Sequence, residues 1–243
     1  LKQEEWFGEW FDSPYYHMLY QHRDENEAKV FLKNLIAYLA PEAEATFLDI
    51  GCGKGRHAIT LNEMGFDVTG IDLSASSIAE ASQHANEKLR FYTHDKREPF
   101  SHEAYDYVLN LFTSFGFFNT HREHKEAIAA MAENLKKGGR LILDFLNPYV
   151  VINELVEQEV KHVDGINFHI NRTYDGAFII KEISFEDDGR PYRFYEKIKA
   201  IRRQDFIDYF EAAGLTILTI FGDYELSPYQ KDKSDRVIFL AKK

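Results

Sequence analysis

Cysteine is almost missing from this sequence: the 243 residues hold one, Cys52. A single thiol excludes a disulfide or a cysteine-based zinc site within one chain, and it fits a cytoplasmic setting. Long apolar runs are missing too, so no membrane span is expected. Residues 1–10 carry three acids and no apolar stretch, which is not the pattern of a secretory signal. Bases are in deficit, 29 against 40 acids for a net charge of −11. That balance disfavours nucleic-acid partners, whose phosphate backbones call for clustered Lys and Arg. Internal repeats and low-complexity tracts are absent. What remains is a chain with 44% hydrophobic residues, enough for one large α/β domain or one domain plus an insertion.

The most informative stretch is residues 47–56, FLDIGCGKGR. An apolar run containing one acid, Asp49, enters three glycines at alternate positions, Gly51, Gly53 and Gly55. The pattern reads as a buried strand, a tight turn and the start of a helix. Glycines there allow positive φ and close approach of another molecule, and the helix N-terminus adds an electropositive cradle. A second apolar run, residues 66–71, ends in Asp72, placed at a strand tip to accept from ribose hydroxyls. A dinucleotide fingerprint would need glycine at the sixth position from Gly51, where this chain has Arg56. That argues against a nicotinamide dehydrogenase.

The stretch Asp49-Ile-Gly51-Cys-Gly53-Lys-Gly55 instead resembles motif I, D/E-x-G-x-G-x-G, of the class I S-adenosylmethionine-dependent methyltransferases. The resemblance covers residues 44–146 well and 203–243 in outline. It implies S-adenosyl-L-methionine as cofactor, held by Asp49, Gly51, Cys52, Gly53 and Gly55 of the turn and by Asp72 and Leu73 after the second strand. By the same resemblance Asp95, with Lys96, meets the adenine amino group, and Asn110, Leu111 and Phe112 line the methyl-transfer channel. The position after the fourth strand reads Asn110-Leu-Phe-Thr113 rather than Asn/Asp-Pro-Pro-aromatic, which argues against methylation of planar base or amide nitrogens. Cytosine C5 methylation would need a cysteine beyond the cofactor loop, and there is none.

In chain order, an aromatic segment with Trp6, Phe7, Trp10, Phe11, Tyr15, Tyr16 and Tyr20 precedes a helix opened by Asp24-Glu-Asn-Glu27 and stopped by Pro41. Tyr16, Tyr20, His22 and Arg23 are its candidate inward-facing groups. Crossover helices are expected over residues 56–64, and from the Ser74 cap to about residue 86. Strands are expected at residues 89–93, 105–111 and 140–146, with a helix between the last two that starts at Thr120-x-x-Glu123 and ends at Gly138-Gly139. His121 and His124 have helical spacing, but without a third ligand they read as a solvated face, and no metal is expected.

Residues 159–200 then alternate with period two and are broken by Asp164-Gly165, Asp175-Gly176 and Asp188-Gly189, which are hairpin signals. They predict an antiparallel meander of three or four strands above the ligand-binding edge of the sheet. A helix over 203–213 and strands at 215–221 and 237–241 close the chain.

The expected fold is α/β: a Rossmann-like, doubly wound seven-stranded sheet, mostly parallel with the last strand antiparallel, plus the inserted meander. The expected organisation is one methyltransferase domain, with an N-terminal helical cap at 1–43, a core at 44–146 and 201–243, and a substrate lid at 147–200. The expected activity is methyl transfer to N or O of a small-molecule acceptor by a monomer or homodimer. The alternatives are an RNA- or protein-directed methyltransferase and a non-catalytic cofactor-binding scaffold. Candidates for a general base are Tyr16, Tyr20, His22 and Asn147.

Overall fold

The computed structural model describes residues 10–20 and 25–243. The aromatic residues Trp6 and Phe7, the candidates His22 and Arg23, and Asp24 of the expected capping box lie outside the described residues. Ser13 caps α1 (Pro14–Leu19) by accepting from the Tyr15 N–H, with Pro14 in the first turn, where its missing N–H costs nothing. In α2 (Glu25–Leu39), Ala28, Phe31, Leu32, Leu35 and Leu39 form one buried stripe. The helix stops at Ala40, whose φ is 44°, just before Pro41.

The main sheet has seven strands, ordered β10-β11-β5-β4-β1-β2-β3. They are β1 (Thr46–Ile50), β2 (Asp67–Asp72), β3 (Leu89–Thr93), β4 (Tyr105–Asn110), β5 (Leu135–Leu146), β10 (Thr216–Phe221) and β11 (Arg236–Lys242). β11 runs antiparallel to both neighbours, β5 and β10, while β3, β2, β1, β4 and β5 are parallel. Parallel strands buried on both faces read as continuous apolar runs, as β1 and β4 do, and the central antiparallel β11 reads the same way. One face is covered by α2, α3 (Arg56–Glu63) and α4 (Ala75–Ala81), through Phe31, Leu35, Leu61 and Ile78 packed on Phe47, Leu109 and Ile142. The other carries α5 (His121–Asn134) and α7 (Arg203–Ala212), through Ile128, Met131, Phe206 and Phe210 packed on Val108, Leu143 and Phe239. Strand order reverses between β1 and β4, and such a switch point opens a crevice at the strands' C-terminal ends.

Three local expectations are corrected. The helix capped by Ser74 ends at Ala81, followed by one 3-10 turn, Ser82–His84, rather than reaching residue 86. The helix opened by Thr120, whose capping box with Glu123 is formed, ends at Asn134 instead of Gly138-Gly139. Those glycines lie within β5, at a shift of its register on β4, and a Cβ on Gly139 would sit 2.9 Å from the Lys136 carbonyl. Of the histidine pair, only His121 is exposed to solvent as expected. His124 is fully buried, stacked on Tyr209, and its Nδ1 donates to the Thr120 carbonyl at 2.7 Å, while His121 bonds the Tyr209 hydroxyl.

The meander has four strands, β6 (Gln158–Val163), β7 (Ile166–Tyr174), β8 (Phe178–Asp187) and β9 (Arg190–Lys199). Asp164-Gly165 and Asp188-Gly189 form its outer turns, with all four φ values positive, as a twisted two-residue hairpin requires. Its inner face, with Phe168, Ile170, Ile183 and Phe185, forms a third core around Trp10 and Leu19 of the N-terminal segment. A short helix missed by the sequence pattern, α6 (Pro148–Asn153), leads from β5 to the meander.

Candidate active site

The glycine turn after β1 adopts left-handed conformations at all three glycines, with φ of 74°, 54° and 83° at Gly51, Gly53 and Gly55. They serve different ends. A Cβ on Gly51 would lie 2.8 Å from the Ser114 Cβ, so this glycine lets the loop after β4 close on the turn. A Cβ on Gly55 would strike the Phe91 ring at 2.8 Å, so that glycine serves helix–sheet packing. A Cβ on Gly53 would meet nothing within 4 Å among the described residues, and it would point into open space. That space is a cavity of about 720 Å³, within the range of small-molecule sites.

Three parts of the chain wall the cavity. The first is the sheet edge, including Gly51, Cys52, Gly53, Asp72, Leu73, Asp95, Lys96, Leu111 and Phe112. The second is the N-terminal segment, with Phe11, Asp12, Tyr16, His17 and Tyr20. The third is β9, with Glu196 and Ile198. The sequence candidates Asp49, Gly55, Asn110 and Asn147 do not line it. Asn110 is buried, and its amide donates to the Ile50 carbonyl at 2.7 Å, bracing β4 against β1. Asn147 caps α6 and donates to the carbonyls of Lys231 and Ser234 at 2.8 and 2.7 Å.

Electrostatics at the turn centre on two carboxylates. Asp72 accepts from the Gly53 N–H at 2.8 Å and the Ser74 N–H at 2.9 Å, fixing the turn to the tip of β2. Asp49 is buried beneath it with one oxygen unpartnered, and burial, reinforced by the charge of Asp72, raises its pKa to about 7. Neighbouring His57 is buried and held neutral, its pKa pushed down to about 3 by burial and by Arg56. Lys96 is half-buried and donates to the Ser114 carbonyl. Burial lowers its pKa to about 8 against the opposing pull of Asp72 and Asp95. Asp95 accepts from the Arg97 guanidinium, with Nε at 2.9 Å. Burial acts to raise its pKa, but the Arg97 bonds outweigh that and hold it low.

Several residues of the site went unnoticed in the sequence. Asp12, beside α1, accepts from Ser74 at 2.7 Å and from Ser76, pinning the N-terminal segment to the cap of α4. Glu196 accepts from Trp10 Nε1 at 2.8 Å and the Tyr20 hydroxyl at 2.6 Å, and it pairs with Lys181 at 3.2 Å, tying the same segment to the meander. The one available signal was that Glu196 is an acid on the apolar phase of β9, between Phe194 and Ile198. Asp144 and Arg236, joined at 2.8 Å behind the loop after β4, are the other omission. A lone acid in the apolar run of residues 141–146 carries the same signal as Asp49 in its own run.

A Rossmann-like sheet with its ligand cavity at the switch point, a glycine turn and an acid on the second strand tip is the architecture of a nucleotide-cofactor enzyme. Residues 47–139 match a methyltransferase domain family. The chain is 28% identical over 235 residues to a glycine/sarcosine N-methyltransferase of Aphanothece halophytica, covering 91% of this chain and 83% of that one. An S-adenosylmethionine-dependent methyltransferase from Clostridium acetobutylicum superposes with a TM-score of 0.78 at 21% identity, over 94% of this chain and 95% of that one. An amino pentose methyltransferase from Micromonospora echinaspora, solved with S-adenosylmethionine bound, gives 0.71 at 23%, over 95% and 97%. The chain carries a methyltransferase domain and shares the fold of S-adenosylmethionine-dependent methyltransferases, one of them solved with that cofactor bound. The site fits that group. Gly53 leaves open the space a side chain would fill, and Asp72 offers acceptor oxygens at the cavity wall. Among the described residues no helix is long and apolar enough to cross a membrane, and no cluster of His, Cys, Asp and Glu suits a metal ion.

Proposed function

We propose that the protein methylates the nitrogen of a small, amine-bearing acceptor in the cytoplasm, and that the acceptor sits between the N-terminal segment and the meander. The observation that carries this reading is Glu196. Its carboxylate is placed among Trp10, Tyr16 and Tyr20 in the wall of the same cavity that the glycine turn borders. A carboxylate in an aromatic chamber attracts an ammonium group, and nearby acceptor oxygens can take its proton before transfer. When bound, the cofactor supplies a methyl group already activated on a sulfonium. The chain's own part is to bind, orient and exclude water, which can lower a barrier by roughly 7–11 kcal/mol without a covalent residue. The curated relative named for glycine and sarcosine supports a small amine, and the net charge of −11 opposes a polyanion.

The cofactor half of this reading is tested by calorimetry with S-adenosylmethionine, its demethylated product and NAD, of which only the first two are expected to bind. The acceptor half is tested by release of the demethylated product with glycine, sarcosine, a nucleotide-linked amino sugar, catechol and RNA. Turnover with the amines alone is expected. Turnover with catechol or RNA and none with the amines would overturn it.

A further inference from the structure

We propose that Asp144 and Arg236 are positioning residues of the cofactor site, acting through the two-residue turn Phe112-Thr113. This inference concerns the cofactor half and does not depend on the acceptor's identity.

Phe112 and Thr113 both line the cavity, and both hold left-handed backbone conformations, with φ of 53° and 61°. Neither is glycine, and Thr113 is β-branched, so the turn persists only if its surroundings over-determine it. They do so from one side. The Asp144 carboxylate, on β5 and wholly buried, accepts from the Phe112 N–H at 2.7 Å, and its backbone carbonyl accepts from the Thr113 N–H at 3.2 Å. Arg236, on antiparallel β11, binds the same carboxylate at 2.8 Å and donates to Thr113 Oγ1 at 2.8 Å. The Tyr224 hydroxyl donates to Asp144 at 3.1 Å while its ring stacks on Phe112, with centroids 4.7 Å apart.

The far side of the turn faces the cavity and the glycine turn. The next residue, Ser114, packs against Gly51 so closely that no side chain fits there, and its hydroxyl donates to the Gly51 carbonyl at 3.2 Å. Phe112 itself lies 4.8 Å from the His57 ring and 4.6 Å from the Arg56 guanidinium at the head of α3. The ion pair on β5 and β11, its carboxylate buried and its guanidinium half-buried, is therefore coupled to the glycine turn through one strained loop. A buried pair gives little net stability by itself but fixes a single geometry when its remaining hydrogen bonds are made, as they are here.

The test measures S-adenosylmethionine affinity by calorimetry well below the melting temperature, on variants shown to be folded by circular dichroism. Asp144→Asn and Arg236→Met are each expected to weaken binding at least tenfold. The double variant should be no weaker than the worse single one, because both residues act through one turn. Asn134→Ala, which removes buried hydrogen bonds far from the cavity, should lower the melting temperature and leave affinity within twofold. If the buried variants do not fold, Thr113→Val, which deletes only the hydroxyl that Arg236 reaches, should still weaken binding at least threefold. Wild-type affinity in folded Asp144→Asn, Arg236→Met or Thr113→Val would overturn the proposal and leave the ion pair a purely structural feature.

Discussion

Asp72 reaches back 19 residues along the chain to accept the Gly53 N–H at 2.8 Å. The carboxylate thus holds the glycine turn open as well as presenting its remaining lone pairs to the cavity. Asp72→Ala removes both functions. We expect it to weaken S-adenosylmethionine binding by about 1.5–3 kcal/mol, typical of hydrogen bonds to a charged group. That is roughly ten- to hundredfold in the dissociation constant. Calorimetry checks it, and an unchanged constant in folded protein would reduce Asp72 to a strand end.

The glycines of the turn should separate in the same experiment. Gly53→Val places its side chain in open space, so its folding cost is mostly that of a left-handed non-glycine residue, about 1–2 kcal/mol. The side chain would stand in the cofactor's volume, and binding should vanish. Gly51→Val collides with Ser114 as well and should lose both stability and binding. Thermal melts beside calorimetry distinguish the two. Wild-type affinity in Gly53→Val would show that the cofactor does not pass over that residue.

How far these roles were legible follows from what sequence patterns encode. Gly51, Gly53, Asp72 and the hairpin dipeptides are local signals, because a positive φ or a strand tip leaves its mark on neighbouring residues. The seven-stranded sheet with its antiparallel last strand came from the family resemblance once the strands were placed, and parallel crossovers leave few arrangements for it. Asn110 and Asn147 show the ambiguity of a polar residue at the end of an apolar run, which can face a ligand or brace a backbone. Both brace, binding the Ile50 carbonyl and the loop at Lys231. Glu196 and Arg236 are hard to read for another reason: their partners Trp10 and Asp144 are 186 and 92 residues away, and a local pattern can mark an acid as out of place without naming its partner.

Stability should depend on pH from both sides. Asp49 carries a folded-state pKa near 7 against an ordinary 3.8, raised by burial and then by Asp72. Between those values the folded chain holds the extra proton, so stability falls as pH rises. His57 and His124, pushed down from 6.5 to about 3 and about 4, chiefly by burial, act in the opposite sense. Their contribution is complete above about pH 6.5 and is lost as pH falls toward the folded values. Asp49→Asn should therefore gain on the wild type by roughly 2–3 kcal/mol between pH 5 and pH 8. Denaturant melts at the two pH values check this, and a difference independent of pH would mean that Asp49 stays ionised throughout.

The last prediction concerns the wall made by β9 and the N-terminal segment. Glu196→Gln keeps an oxygen for Trp10 and Tyr20 but removes the charge beside Lys181. None of these contacts reaches the glycine turn, so S-adenosylmethionine affinity should stay within about threefold. The loss should fall on the acceptor, with KM for an amine raised tenfold or more, the scale of one charge-assisted hydrogen bond. Tyr15→Phe is the matched control. Its hydroxyl donates to Asp187 at 2.7 Å in the same aromatic cluster, yet Tyr15 does not line the cavity. It should cost about 1 kcal/mol of stability and leave KM alone. Steady-state kinetics on both variants decide the matter. If Glu196→Gln weakens the cofactor as much as the amine, or if Tyr15→Phe raises KM equally, the meander supports the fold of the N-terminal segment rather than choosing the acceptor.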